Sequence, residues 1–232
     1  MSYMPTPVVS ADAQLRQSSI MSQVYAWMTA GLLITGAVAA YTANSLWLLQ
    51  LIFGNPFGIW VLFIAQIGMV LGLSAGIGRL APGVATTLFI VYAALNGLTM
   101  AAIFLVYTRA SIASTFFITA STFGVMSLYG YTTKRDLTRI GSLLFMALIG
   151  LILASLVNFF LKSTALYWII TYAGVLIFVG LVAWDTQKIK RLSMHATDET
   201  SARRIAILGS LMLYLDFINL FLFLLRIFGR RR

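Results

Sequence analysis

The 232-residue sequence contains no cysteine, one histidine, four prolines and six acidic residues. Without cysteine there is no disulfide framework, thiol chemistry or thiolate metal site. The lone histidine, His195, has no metal-spaced neighbour, and one histidine in a polar link cannot serve a Ser-His-Asp site. No GxGxxG, Walker, HExxH or GxSxG pattern occurs, so neither an enzymatic role nor a cofactor is expected. Charge is scarce as well: 9% of residues are charged, against about 25% in a soluble domain. That leaves too little polar surface to cover a water-soluble core of this size.

What is present is apolar sequence. Hydrophobic residues make up 60% of the chain, in runs exceeding the ~18 residues that mark a transmembrane segment. The runs do not alternate as barrel strands do. The expected fold class is therefore all-α, a polytopic membrane protein. Residues 1–20, with Pro5 and Pro7, are expected to form a flexible polar tail without a signal peptide's apolar core. Residues 21–232 form a single transmembrane domain. Its spans are expected near 22–43, 56–77, 83–107, 111–131, 140–161, 164–187 and 205–226, with a short interfacial helix in 44–55. Gly68, Gly72 and Gly76 recur every fourth residue, which predicts close helix packing there.

The formal charge is +10. With the N-terminus inside, the inner segments hold Arg16, Arg79, three basic residues in the 132–139 link and five between 188 and 204. The outer links hold only Arg109 and Lys162. This bias predicts a cytoplasmic N-terminus. Seven spans would then place Arg230, Arg231 and Arg232 outside, whereas a re-entrant last segment would keep them inside. The upstream charges favour seven. No basic domain stands apart from the membrane segments, so no nucleic-acid partner is expected.

The acidic residues narrow the search for chemistry. Asp12, Asp136, Asp198 and Glu199 fall in polar segments and read as solvated. Asp216 lies inside the last apolar stretch, SLMLYLDFINLFLFLLRIF, where a carboxylate costs at least ~2.5–3.5 kcal/mol. Asp185, in GLVAWDTQKIKRL, has two readings. It can pair with Lys188 at i+3 on the helix surface, or meet Asp216. Two carboxyls in a poorly hydrated space cannot cheaply both ionise, and they titrate as a pair. Such a pair is a proton sensor without a histidine. It falls short of the six to eight oxygens of a high-affinity calcium site, so a transient ion path is expected and a tight metal site is not. Asn219, at i+3 from Asp216, shares its face as secondary polar lining. Arg79 ends the second span on the side of Asp185 and is a candidate latch for the ionised carboxylate.

GLVAWDTQKIKR followed by LYLDFINLFLFLLRIFG resembles the signature region of the transmembrane Bax-inhibitor-motif family. The likeness extends through SLYGYTTKRDL, FMALIGLILASLVNFFLKS and QVYAWMTAGLLITG, and is strongest to enterobacterial inner-membrane members. The resemblance implies seven helices, the C-terminal one central and wrapped by two three-helix layers. It implies an inner-membrane, pH-sensitive calcium leak in which Asp185 and Asp216 match the paired aspartates and Arg79 the latch. Some relatives interact with a membrane-anchored AAA protease, which suggests the alternative of a non-conducting regulator of such a partner.

Overall fold

The structure is a computed structural model that describes residues 11–232. Eight helices follow in order: α1 (Ala11–Ala43), α2 (Leu46–Phe53), α3 (Pro56–Gly76), α4 (Pro82–Val106), α5 (Arg109–Thr132), α6 (Thr138–Leu161), α7 (Thr164–Met194) and α8 (Glu199–Phe228). All but α2 are long and apolar enough to cross a membrane, and the chain is a polytopic membrane protein.

Local chemistry sets the helix starts. Pro56 and Pro82 occupy first-turn positions, where a missing N–H costs nothing. Asn55, Thr108 and Ser163 accept a backbone N–H of the first turn through their side chains. Asp198 and Ser201 form a reciprocal capping box that begins α8.

Two helices are longer than the sequence suggests. α1 begins at Ala11, so residues 11–20 of the expected tail belong to the helix. Gln17, Ile20, Met21, Val24 and Met28 are buried at helical spacing, so one stripe of this segment packs inward. Residues 1–10 of that tail lie outside the described residues. α7 continues to Met194 rather than ending near 187, because Ile189 and Ser193 remain buried.

Helix α8 is the axis of the bundle. Two-thirds (67%) of its most apolar window is buried, against 11% for α3 and for α6. It touches α1 and α4 on one side and α5 and α7 on the other. α3 lies on α4, and α6 lies on α7, so α1, α3, α4 and α5, α6, α7 form two layers around it. Close approaches depend on particular glycines. At Gly130 a Cβ would sit 2.1 Å from the Ala183 carbonyl oxygen, so α5 and α7 meet backbone to backbone. At Gly209 it would meet Ile189 of α7 at 2.9 Å. The predicted glycine ridge of α3 serves no such contact, since Gly68 and Gly72 face open space.

The last residues settle the crossing of α8. Thr108 N–H donates to the Arg230 carbonyl at 3.0 Å, and Arg232 N–H donates to the Val106 carbonyl at 2.9 Å. The segment after α8 therefore pairs with the α4–α5 link. At the opposite end, Arg204 Nε donates to the Leu80 carbonyl at 2.9 Å, tying the start of α8 to the α3–α4 link. α8 thus runs the full length of the bundle, and a re-entrant last segment does not occur. The Leu80 end collects most of the basic residues of the links.

Candidate functional site

Asp185 and Asp216 meet in the interior. Each is nearly inaccessible, with 8% and 4% exposure, and the two carboxyls are near enough to act on each other. The helices make this meeting possible despite unequal depths. Ile189 packs against Gly209, and in that antiparallel register Asp185 stands opposite Leu213. Asp216 is then about one turn deeper, roughly 4.5 Å along the axis. The Cα–Cβ bonds of a helix tilt toward its N-terminus. Because α7 and α8 are antiparallel, Asp185 leans deeper and Asp216 leans back, and the two tilts close the offset.

The pair is poorly supplied with donors. Asp185 Oδ1 and Asp216 Oδ2 are buried without a hydrogen-bond partner among the described residues. A hydrogen bond between two carboxyl groups requires a proton on the pair, since ionised carboxylates only accept. The positive charge near enough to act on both is Lys188, exposed on α7 with its ammonium 4.9 Å from the Trp184 ring centroid. Lys188 forms no direct ion pair with Asp185; among the described residues the ion pairs are Arg191–Asp136 and Arg203–Glu199. The surface ion pair with Lys188 therefore does not form: Asp185 is buried beside Asp216, and the Lys188 charge acts on it only at longer range.

The remaining predicted residues lie elsewhere. Arg79 is exposed in the turn after α3 and, among the described residues, makes no ion pair or side-chain hydrogen bond. The structure does not bring it to Asp185. Asn219 turns its amide back on its own helix, donating to the Leu215 carbonyl at 2.8 Å, and makes no bond to Asp216. No group of three or more His, Cys, Asp or Glu residues able to hold a metal occurs among the described residues.

Sequence reasoning passed over the hydroxyl groups around the pair. Thr186, next to Asp185, lies 3.0 Å from Ser127 Oγ, which lies 2.5 Å from the Tyr25 hydroxyl. This chain of hydroxyls joins α7, α5 and α1. Two residues before Asp216 on α8, the buried Tyr214 hydroxyl lies 2.6 Å from Thr35, which donates to the Ala93 carbonyl. A Ser or Thr inside a span is a weak signal, because it can bond to its own helix backbone, as Thr186 also does.

Residues 17–232 match the family model described as inhibitor of apoptosis-promoting Bax1. Among relatives, the chain is 60% identical over 214 residues to the inner membrane protein YbhL of Escherichia coli strain K12, covering 91% of this chain and 92% of that protein. It is 47% identical to an uncharacterized protein of Rickettsia prowazekii over 91% of this chain and 89% of the relative. Against an uncharacterized protein of Borreliella burgdorferi the identity is 44%, over 94% of each.

Proposed function

The chain belongs to the Bax inhibitor family, and from that premise we propose that it is a pH-regulated cation leak of the bacterial inner membrane, with Ca²⁺ as the permeant ion. The observation that supports this reading is the contact of Asp185 with Asp216 in the interior. In this reading, one proton on the pair holds α7 and α8 together through a carboxyl–carboxyl hydrogen bond. Loss of that proton replaces the bond with like-charge repulsion, so the packing of the central helix is linked to proton concentration. Fully ionised, the pair supplies oxygen ligands that a divalent cation prefers, yet too few to trap it. Weak binding suits passage.

The inner-membrane assignment follows the 60%-identical relative, whose name carries it. The N-terminus is assigned to the cytoplasm because the basic residues crowd the Leu80 end of the bundle. No catalytic step is assigned to the protein, and Arg79 acts on the pair only if the α3–α4 turn moves.

Ca²⁺, Na⁺, K⁺ and H⁺ fluxes across proteoliposomes, measured over a pH series, test the proposal. A Ca²⁺ leak above that of empty vesicles, with a rate that changes with pH, is expected. Protein-containing vesicles as tight as empty ones at every pH would sink it.

A further inference from the structure

Helices α1 and α5 part along most of their length and leave a groove of about 950 Å³. That is at the upper end of small-molecule sites, which span ~300–1,000 Å³. The groove opens on the flank of the bundle between the exposed Leu33 and Leu128, where the bilayer lies. Its floor is Phe123 and Phe217. Along α1 it runs from Ser18 to Ala37, about 28 Å of helix. Gly36 and Gly124 stand on facing walls, and a Cβ at either would meet nothing within 4 Å.

The two ends of the groove differ in chemistry. At the end where α5 finishes, Lys190 of α7 donates to the Tyr131 carbonyl at 2.7 Å, and its ammonium lies 4.6 Å from the Tyr131 ring centroid. An ammonium has three donors, so this contact leaves others free. Ser18 and Ser22 line the same end and are exposed. Among the described residues no carboxylate lines the groove. A long apolar channel with a hydroxyl-lined mouth at the bundle's basic end, and the Lys190 ammonium held against its rim residue Tyr131, matches an amphiphile carrying negative charge on its polar end.

We propose that this groove is a binding site for an anionic glycerophospholipid, one acyl chain along α1 and α5 and the phosphate at Lys190 and Ser18. The alternative occupant, a helix of another protein, fits poorly. The Tyr25–Ser127 hydrogen bond joins the two walls at 2.5 Å, and a helix about 10 Å across would have to break it. An acyl chain lies alongside. The site backs directly on the aspartate pair: Phe217 in its floor follows Asp216, and Ser127 in its wall reaches Thr186 beside Asp185. The proposal stands apart from the leak reading and does not need it.

Native mass spectrometry of the full chain in mild detergent, with phosphatidylglycerol or phosphatidylethanolamine of identical acyl chains, tests the site. The wild type is expected to retain phosphatidylglycerol in preference. Gly124→Leu, at a wall where a Cβ meets nothing within 4 Å, adds bulk to the groove and should weaken that retention at least about tenfold, or ~1.4 kcal/mol. Lys190→Gln should equalise the two lipids while Lys190→Arg keeps the preference. Equal retention of both lipids by the wild type would overturn the proposal. So would undiminished phosphatidylglycerol binding in Gly124→Leu and Gly36→Leu, or a groove found occupied by a protein helix. If Lys190→Gln loses its fold with the Tyr131 tie, the wild-type lipid comparison and the glycine variants decide alone.

Discussion

Gly130→Ala tests the packing on which the aspartate pair rests. The new Cβ would lie 2.1 Å from the Ala183 carbonyl oxygen and 2.8 Å from its carbon, where ordinary contact starts at 3.4 Å. Both atoms are backbone, so no rotamer change relieves the clash. α5 must move from α7 by roughly 1 Å, and overpacking of this kind costs about 1–3 kcal/mol. Gly124→Ala on the same helix is the control, because its Cβ meets nothing within 4 Å. Removing a helical glycine there should be neutral or favourable by up to ~1 kcal/mol. Thermal unfolding in detergent, followed by tryptophan fluorescence, reads the difference. At about 2–4 °C per kcal/mol for a chain of this size, Gly130→Ala should melt roughly 2–12 °C below the wild type. The Ser127–Thr186 contact, one turn from Gly130, should loosen with it. A Gly130→Ala protein that melts with the wild type, or with Gly124→Ala, would refute the backbone contact between α5 and α7.

Tyr214→Phe removes a buried hydroxyl bonded to Thr35; membrane double-mutant cycles predict a loss averaging ~0.6 and not above ~1.7 kcal/mol, which a denaturant titration against Thr35→Val resolves. In the α5–α6 link, Thr138 donates to Asp136 through its hydroxyl and backbone N–H, and Arg191 donates at 2.7 Å. These bonds, those from Thr138 foremost, hold the Asp136 carboxyl well below the usual carboxylate range. A group depressed in the folded state stabilises it above its unfolded pKa, about 3.9 for Asp, and loses that contribution as pH falls through its folded value. The protection of the amides of residues 133–139, taken relative to their intrinsic exchange rates at each pH, should therefore hold from neutral pH down to about 4 and fall only below. Loss of protection already near pH 6 would contradict the tie.

Much of the fold is legible in the sequence because its signals are local. Pro56, Pro82, Asn55, Thr108 and Ser163 announce helix starts through backbone chemistry, and apolar length marks the seven long helices. The start of α1 escaped such a reading because its polar residues mask a buried stripe of Gln17, Ile20, Met21 and Val24. That stripe packs on helices distant in sequence. Asp216 stood out because a carboxylate inside an apolar run needs an explanation, and Asp185 followed from the short acidic list. Their common depth was not legible, since it depends on the Ile189–Gly209 register and on opposed Cβ tilts. Arg79 sits at the expected end of α3, but nothing in its flanking residues fixes which way the turn faces. The groove was invisible, because Gly36 and Gly124 acquire their meaning only once α1 and α5 stand side by side.

The most direct test of the account is the pH profile of Ca²⁺ flux in one proteoliposome preparation of wild type, Asp185→Asn, Asp216→Asn and the double variant. Residues that share one proton act as a unit, so their effects do not add. Each single variant is expected to flatten the profile, and the double variant to flatten it no further. A wild-type profile in both single variants, or two separate and additive losses, would contradict a sensor built from the two aspartates.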